Sequence, residues 1–280
     1  MRLTALTFCI LAFSLTASAP IPLESSKHQQ QEHAFWGLNG HRIVAAVAEN
    51  HLTPEAKKQV QKLLKGQPMA RVSVWADEAR GKKKWSFTRT WHYTTIPEGE
   101  TYKKAEKHKD GDVITALRKY EAVLRSNSAA AEEKTIALKF FIHFAGDVHQ
   151  PLHVGNGKDR GGNDVKVDWY NEKDVRLHSV WDSHIIRHTE LSYTEFVDFI
   201  DRATQSQIED WQNSTYTDWA MESYEVRDMV YNFRPARSSN ERPYLSWDYR
   251  NAAVPIVEER LLKAGIRLAG VLNNIFSGTS

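Results

Sequence analysis

The chain has 280 residues, of which 41% are hydrophobic and 26% are charged, a mixture typical of folded domains and not of disordered tracts. Its 37 basic residues nearly balance its 35 acidic residues, so bulk positive charge cannot be its means of holding a nucleic acid. The single cysteine, Cys9, excludes both a disulfide framework and a thiolate metal site. Twelve histidines remain as candidate metal ligands and acid-base groups.

The N-terminus has the pattern of a secretory signal peptide over residues 1–19, in which Arg2 precedes an apolar run that closes on an Ala-Ser-Ala sequence. The run is too short for a membrane anchor, so we expect no stable membrane partner. Residues 20–35 follow as a polar spacer without helical or strand periodicity. We therefore expect both segments to be removed, which leaves a domain at residues 36–280 in a secreted or periplasmic protein.

Beyond the spacer, apolar residues recur every three or four positions, which predicts helices. Thr53 and Pro54 form a helix start that Gly66 ends, and Ser192 with Glu195 forms a capping box. Further helices are predicted at 39–51, 73–80, 111–126, 131–150, 178–189, 217–231 and 246–264, and short strands at 91–96 and 165–169. With no internal repeat, these patterns predict a single, mainly α-helical domain.

Two pairs of histidine and aspartate stand out. His143 and Asp147 are four residues apart and so share one face of a predicted helix, and His153 follows just after a proline that ends it. His178 and Asp182 repeat the spacing on a later helix. Two helices could thus direct these side chains at one point, as metal sites in helical bundles do.

Pairs of this spacing also arise by chance. Three others begin in the spacer, at a helix end or in a lysine-rich loop, where we expect solvated pairs: His28/Glu32, His51/Glu55 and His108/Asp112. The two pairs described above are flanked by phenylalanine, valine and tryptophan, so burial would leave their polar groups in need of partners. A structural ion-pair network and a metal site both meet that need, and both remain open at this point.

Further candidates widen the set. Asp77 precedes Arg80 by three residues, His92 follows a tryptophan in a predicted strand, and His41 lies in the sequence WGLNGH. Each alone is typical of a surface pair or a core histidine. Together they form a nitrogen and oxygen ligand set without sulfur, which suits catalytic zinc. The set exceeds the needs of one ion, which indicates a cluster with bridging carboxylates.

These motifs resemble those of the S1/P1 nuclease family, three-zinc nucleases that cleave single-stranded nucleic acid. The resemblance rests on WGxxGH at 36–41, WADxxR at 75–80, His92 after an aromatic residue, HxxxDxxxxxH at 143–153 and HxxxD at 178–182. It implies a mainly α, single helical domain of the phospholipase C/P1 nuclease type.

The resemblance also implies a ligand set for three Zn²⁺ ions. The first ion would be held by Asp77, His92, His143 and Asp147. The second would be held by His153, His178 and Asp182. The third would be held by the amino and carbonyl groups of Trp36, with His41 and the bridging Asp147. That third site requires a free amine on Trp36, and hence removal of the spacer.

The implied activity is hydrolysis of phosphodiester bonds in single-stranded DNA and RNA to 5′-phosphate products, together with cleavage of 3′-nucleotides by a monomer. Arg80 and Asp77 are the expected catalytic residues. Tyr93 is the expected stacking platform for a base, with Thr95 and Asn163 as further substrate contacts. Many fungal and plant relatives carry an aspartate where this chain has Thr95, so we predict a weaker or different base preference.

Two rival interpretations remain. The zinc phospholipases C have a similar three-zinc site, although Asp182, where those enzymes tend to carry glutamate, and the WADEAR segment favour the nuclease. A secreted protein that only sequesters zinc would give no role to Arg80 or to the glycine-rich loop at 155–163.

Overall fold

Helices form most of the protein in the computed structural model, which describes residues 36–236, 238 and 241–277. The α-helices are α1 (Leu38–Asn50), α2 (Pro54–Leu63), α3 (Met69–Val72), α4 (Trp75–Arg80), α5 (Val113–Arg125), α6 (Ala131–Asp147), α7 (Leu177–Ser179), α8 (Ile185–Arg187), α9 (Tyr193–Ile200), α10 (Gln205–Gln212), α11 (Tyr216–Glu225), α12 (Arg227–Val230) and α13 (Trp247–Phe276). A π-helical stretch, Val180–His184, joins α7 to α8. The expected mainly α fold is confirmed. The predicted leader and spacer, with the His28/Glu32 pair, lie outside the described residues.

Helix starts follow the local signals in the sequence. Thr53 accepts a hydrogen bond from the backbone N–H of Ala56 at 3.2 Å, with Pro54 at the first helical position. Ser192 and Glu195 form the predicted reciprocal capping box at the start of α9. These caps satisfy N–H groups that a helix start otherwise leaves without partners.

The last helix is longer than predicted. It continues past residue 264 to Phe276, with Pro255 inside it, and packs along α1. A Cβ atom on Gly265 would lie 2.5 Å from the side chain of Val47, so glycine permits the close approach of the two helices. Burial of this face overrides the local cost of proline and glycine in a helix.

The strands are short, and one prediction was wrong in extent. Residues Lys83–His92 form a 3₁₀ segment, so the predicted strand at 91–96 shrinks to β1 (Thr94–Thr95). This strand pairs in parallel with β2 (Val154–Gly155), which follows a second 3₁₀ turn, Pro151–His153. The pairing brings the chain after His92 alongside the chain after His153.

A second sheet lies elsewhere in the chain. Its order is β4-β3-β5, with β3 (Lys166–Trp169), β4 (Glu172–Arg176) and β5 (Tyr244–Leu245). Strand β3 is the one predicted at 165–169. Among the described helices, none has the length and apolar character needed to cross a bilayer.

Candidate metal centre

Histidine and aspartate side chains from separate elements gather into three groups. In each group the candidate ligand atoms lie within 4.8 Å of one another. The groups are His41, His143 and Asp147; Asp77, His92 and His143; and His153, His178 and Asp182. The structure thus brings together every histidine and aspartate that the sequence singled out as a zinc ligand.

The end of α6 supplies the centre of the cluster. His143 and Asp147 lie one turn apart on this helix, and His143 Nε2 is 3.2 Å from Asp147 Oδ2. The buried ring of Phe144 fills the adjoining space. The helix ends at Asp147, and the 3₁₀ turn that follows carries His153 back to the same carboxylate, with His153 Nδ1 3.0 Å from Asp147 Oδ1.

Asp147 connects the groups through both of its oxygens. Its Oδ2 atom lies 3.0 Å from His92 Nδ1, and its Oδ1 atom lies 3.6 Å from His41 Nε2. The ring of His41 in turn stacks on that of His143, with centroids 3.8 Å apart. A carboxylate whose two oxygens approach different histidines could act as a bridging ligand.

Backbone carbonyls orient three of the histidines. The Nδ1 atom of His143 donates to the carbonyl of Ser73 at 2.7 Å, and that of His178 donates to the carbonyl of Gly161 at 2.6 Å. His153 Nδ1 donates to the carbonyl of His92 at 2.9 Å. Since a carbonyl only accepts, each Nδ1 carries the proton and each Nε2 lone pair is left for the cluster.

The group formed by His153, His178 and Asp182 lies where a helix is distorted. His178 belongs to α7 and Asp182 to the π-helical stretch, and His178 Nε2 is 3.1 Å from Asp182 Oδ2. Short π-helical stretches inside helices are frequent at functional sites. Gln150 donates from Nε2 to the other oxygen of Asp182 at 2.5 Å and accepts from the backbone N–H of Leu152 at 2.5 Å.

Buried polar atoms left without hydrogen bonds test whether these groups suit a metal. Within the described residues, His41 Nε2, Asp147 Oδ1, His178 Nε2 and Asp182 Oδ2 are buried and have no hydrogen-bond partner. Several nevertheless lie 3.0–3.6 Å from a nitrogen or carboxylate oxygen of another candidate ligand. Burying such atoms without hydrogen bonds is costly, so their shared direction fits a cation between them. The residues present therefore fit divalent metal ions.

The charges of the cluster are strongly coupled. Burial alone would lower the pKa of His143, but Asp147 and Asp77 outweigh it and raise the pKa to about 10. His153 behaves alike, because Asp147 and Asp182 overcome burial and raise its pKa to about 10. Burial and the neighbouring His143 lower the pKa of His41 to about 3. The carboxylates therefore favour protonated His143 and His153, and a metal ion bound at these histidines would displace those protons.

Arg80 and Asp77 share α4 and face the cluster from one side. Arg80 Nε lies 3.7 Å from Asp77 Oδ1, and 19% of the Arg80 side chain remains exposed. Burial lowers the pKa of Arg80, against the opposing pull of Asp77 and Asp147. The guanidinium therefore lies within electrostatic reach of the ligand carboxylates while part of it meets solvent.

The chain at Trp36 lies beside Asp182, a member of the group His153, His178 and Asp182. Its side chain is buried, and a Cβ on Gly40 would lie 2.7 Å from the indole. The N–H of the next residue, Gly37, donates to the carbonyl of Asp182 at 2.7 Å. The chain at Trp36 is therefore tied to a helix that carries candidate ligands.

The predicted substrate contacts are spread around the rim. Tyr93 follows His92 directly and is 41% exposed. Thr95 lies in β1, and a Cβ on Gly157 would lie 3.3 Å from its methyl group. Asn163 is half-buried in the glycine-rich loop, where its Nδ2 donates to the carbonyl of Arg160 at 2.9 Å. Nothing in these positions tests their roles, which remain predictions.

One histidine within the central motif points away from the cluster. His149 Nδ1 donates to the carbonyl of Ala145 at 2.7 Å, and its Nε2 accepts from Arg267 of α13 at 3.1 Å. Arg260 donates to the His149 carbonyl at 3.1 Å, and both arginines pair with Glu222. This ion-pair network fixes the end of α6. The one sign of it in the sequence is that His149 lies six residues after His143, a spacing that places the two on different faces of a helix.

The fold and the cluster define a class: a mainly helical protein with a centre of buried histidines and aspartates able to hold metal ions. The family model described as "S1/P1 Nuclease" matches residues 36–277. The chain belongs to the S1/P1 nuclease family, and so is a nuclease, a hydrolase acting on ester bonds.

Named relatives agree with this assignment. The chain is 34% identical over 272 residues to Endonuclease 4 of Arabidopsis thaliana, covering 86% of this chain and 89% of the relative. It is 31% identical over 271 residues to Endonuclease 2 of the same plant, covering 86% and 90%. It is 27% identical over 274 residues to Nuclease S1 of Aspergillus oryzae, covering 88% and 93%.

Proposed function

We propose that the protein is a zinc-dependent endonuclease that hydrolyses phosphodiester bonds of single-stranded DNA and RNA to 5′-phosphate products and also acts on 3′-nucleotides. The observation that carries the proposal is the convergence of buried histidine and aspartate ligands into three adjoining groups. We further propose three Zn²⁺ ions, because the ligand atoms are imidazole nitrogens and carboxylate oxygens, with both kinds in every group. Divalent ions bound there would supply activation of water at neutral pH and Lewis-acid stabilisation of phosphoryl charge.

The residues beside the cluster supply the remaining chemistry. Arg80 lies where a guanidinium can hold the negative charge that grows on the phosphoryl oxygens, with Asp77 fixing its direction at 3.7 Å. Two partners acting on one phosphate, the ions and the arginine, would align it for in-line attack. Asp77 therefore has two proposed roles, as a ligand and as the partner that positions Arg80.

Selectivity for single strands follows from access. The ligands are almost wholly buried, so a phosphate in a stiff duplex cannot reach them, whereas a flexible strand can turn a base out. The exposed ring of Tyr93, next to His92, offers a stacking surface for that base. Thr95 offers a hydroxyl where many relatives have a carboxylate, and Asn163 offers an amide in the glycine-rich loop.

The N-terminal site is a separate part of the proposal. The amino group of Trp36 would become a ligand, with His41 and Asp147, only after removal of residues 1–35. The hydrogen bond from the Gly37 N–H to the Asp182 carbonyl, which holds the chain next to Trp36 against a ligand-bearing segment, supports this assignment. We accordingly propose a mature, monomeric domain at residues 36–280, exported to the periplasm or medium.

The test uses purified protein with single-stranded DNA, RNA, a 3′-nucleotide and phosphatidylcholine, each with and without a chelator. We expect both nucleic acids and the nucleotide to be hydrolysed, with products carrying 5′-phosphates, and the activity to return with Zn²⁺ after chelation. Hydrolysis of phosphatidylcholine alone would identify a phospholipase C instead. Undiminished nuclease activity after complete removal of metal would refute the role of the cluster.

A further inference from the structure

A basic segment borders the candidate metal centre. We use this name for residues 82–89, KKKWSFTR, most of which lie in the 3₁₀ segment Lys83–His92 that follows α4. Lys82, Lys83, Lys84 and Arg89 are all exposed. No aspartate or glutamate occurs between residues 79 and 97. The segment therefore forms a locally positive surface on a chain whose overall charge is only +2.

The cations of the basic segment are not consumed by internal ion pairs. Within residues 36–236, 238 and 241–277, no carboxylate lies at ion-pair distance from any of these four side chains. Other surface cations differ, since Lys173 pairs with Asp168 at 2.8 Å and Arg242 pairs with Asp174 at 3.1 Å. The positive charge of the basic segment is thus available to an external anion.

Aromatic rings alternate with these cations. Phe87 is 51% exposed, although its ring is held at one edge by Trp91, with centroids 5.3 Å apart, and lies 6.0 Å from Trp85. Lys84 lies over Trp85 at 5.1 Å, and Lys119 of α5 lies over Trp91 at 4.5 Å. A fixed, half-exposed ring among cations is the combination that binds single-stranded nucleic acid without reading its sequence.

Two residues that flank the basic segment, Arg80 before it and His92 after it, both approach Asp77 of the candidate metal centre. At one end, Arg80 Nε lies 3.7 Å from Asp77 Oδ1. At the other, His92 Nδ1 lies 3.8 Å from the same oxygen. A strand lying along the segment would therefore run directly to the groups proposed to act on phosphate.

We propose that the basic segment binds the part of a single-stranded polynucleotide that extends beyond the cleaved bond. Lys82, Lys83, Lys84 and Arg89 contact successive backbone phosphates, and Phe87 stacks on a base. The inference rests on the proposed function and adds to it a preference for polymers over mononucleotides. A 3′-nucleotide has no phosphate beyond the cleaved bond, so we expect its hydrolysis to be independent of these lysines.

The test compares two triple variants of the full enzyme. One is Lys82→Gln, Lys83→Gln, Lys84→Gln, and the matched control is Lys57→Gln, Lys58→Gln, Lys62→Gln, which removes the same charge from exposed positions of α2. The kcat/KM is measured on a 30-nucleotide single strand and on a 3′-nucleotide over a range of NaCl concentrations. Each lost phosphate contact lowers the slope of log(kcat/KM) against log[salt] by about 0.7 for a single strand.

We expect the first variant to lose 10-fold or more in kcat/KM on the strand at low salt, and its salt slope to fall by up to about 2. Its 3′-nucleotide rate should stay within twofold of the parent enzyme, which also shows that it is folded. The control should keep both rates and the parent slope. Phe87→Ala should raise the KM for the strand at every salt concentration.

An unchanged salt slope in the first variant, or an equal loss on the 3′-nucleotide, would overturn the inference while leaving the nuclease proposal intact. A parent enzyme that hydrolyses neither substrate would overturn both. An equal loss in the α2 control would show a response to net charge alone, which also contradicts binding of the strand at the basic segment.

Discussion

Gln150 links Asp182 of the candidate metal centre to the turn Pro151–His153: its Nε2 donates to Asp182 Oδ1 at 2.5 Å, and its Oε1 accepts from the backbone N–H of Leu152. The side chain is fully buried. It therefore fixes the direction of the Asp182 carboxylate and, through the turn, the approach of His153.

Gln150→Leu should consequently weaken metal binding. Loss of such an outer partner typically costs 10- to 100-fold in metal affinity. The measurement is metal content by mass spectrometry after dialysis against graded chelator. Gln67→Leu, at an exposed position, is the control. Equal metal retention by both variants would show that Asp182 needs no such partner.

Arg80→Ala should separate catalysis from metal binding. Because Arg80 contacts Asp77 but is not among the grouped ligands, metal content should be retained. Turnover should fall by about 10²- to 10³-fold, as when one preorganised charge stabiliser is lost. Steady-state kinetics on a 3′-nucleotide measure it, with Arg71→Ala on the exposed side of α3 as control. A wild-type rate would remove Arg80 from the mechanism.

Gly146→Ala should damage the site through packing alone. A Cβ at this position would lie 2.9 Å from His41 Nδ1 and 3.3 Å from His41 Cε1, so the ring must move. We expect a loss of about 1–3 kcal/mol in stability, as for other overpacked interiors, with reduced metal content. Gly81→Ala, where the nearest atom is 3.8 Å away, is the matched control. Thermal unfolding and metal analysis decide, and full metal content in Gly146→Ala would contradict the prediction.

The predicted helices and the observed cluster show what the sequence could and could not predict. The pairs His143/Asp147 and His178/Asp182 were recognisable because helical periodicity is a local property. Their convergence needed the resemblance to a family, since spacing alone left a structural network open. The strand predicted around His92 was wrong because a 3₁₀ turn accommodates the same aromatic residues.

Tertiary contacts explain the remaining differences. The role of Gln150 carries no sequence signal, because its partner Asp182 lies 32 residues away. The length of α13 was underestimated because Gly265 looks like a helix breaker until its contact with Val47 is known. Propensity is a weak guide wherever burial of a whole helix face decides the outcome.

Glu222 makes stability depend on pH. Burial alone would raise the pKa of its carboxyl group, but Arg267 and Arg260 outweigh it and lower the pKa from 4.5 to about 2. A depressed carboxyl pKa stabilises the fold above the unfolded value of 4.5, and that stabilisation is lost as the pH falls from 4.5 towards 2. Since Glu222 is 31% exposed, solvent screening reduces the effect.

Glu222→Gln should therefore lower the free energy of unfolding at pH 7 by about 1–3 kcal/mol, below the usual cost of breaking a fully buried pair. The difference from the parent should shrink between pH 4.5 and pH 2. Urea unfolding at several pH values measures it, with the exposed Glu225→Gln as control. A difference that stays constant with pH would count against the ion-pair network.

Substitutions at Tyr93 and Thr95 should affect different properties, the first the binding of the nucleotide and the second the preference among bases. Tyr93→Ala should raise the KM for 3′-nucleotides by about 10-fold, because it removes one stacking contact. The parent enzyme should show no strong bias among 3′-AMP, 3′-GMP and 3′-CMP, whereas Thr95→Asp should introduce one. Tyr244→Ala, at another exposed tyrosine, is the control. A strong bias towards adenine in the parent enzyme would contradict this account of Thr95.

The position of Asp147 has a consequence for how the centre fills. One oxygen faces His41 and His153 while the other faces His92 and His143. A cation that takes hold of one oxygen also sets the orientation in which the other is presented, so occupancy at neighbouring positions is thermodynamically linked. Such linkage is reciprocal: if binding of one ion changes the affinity for a second ion by some factor, the second changes the affinity for the first by the same factor. Metal uptake at these positions should accordingly be coupled, so that a substitution that weakens one position also changes the metal affinity of its neighbours.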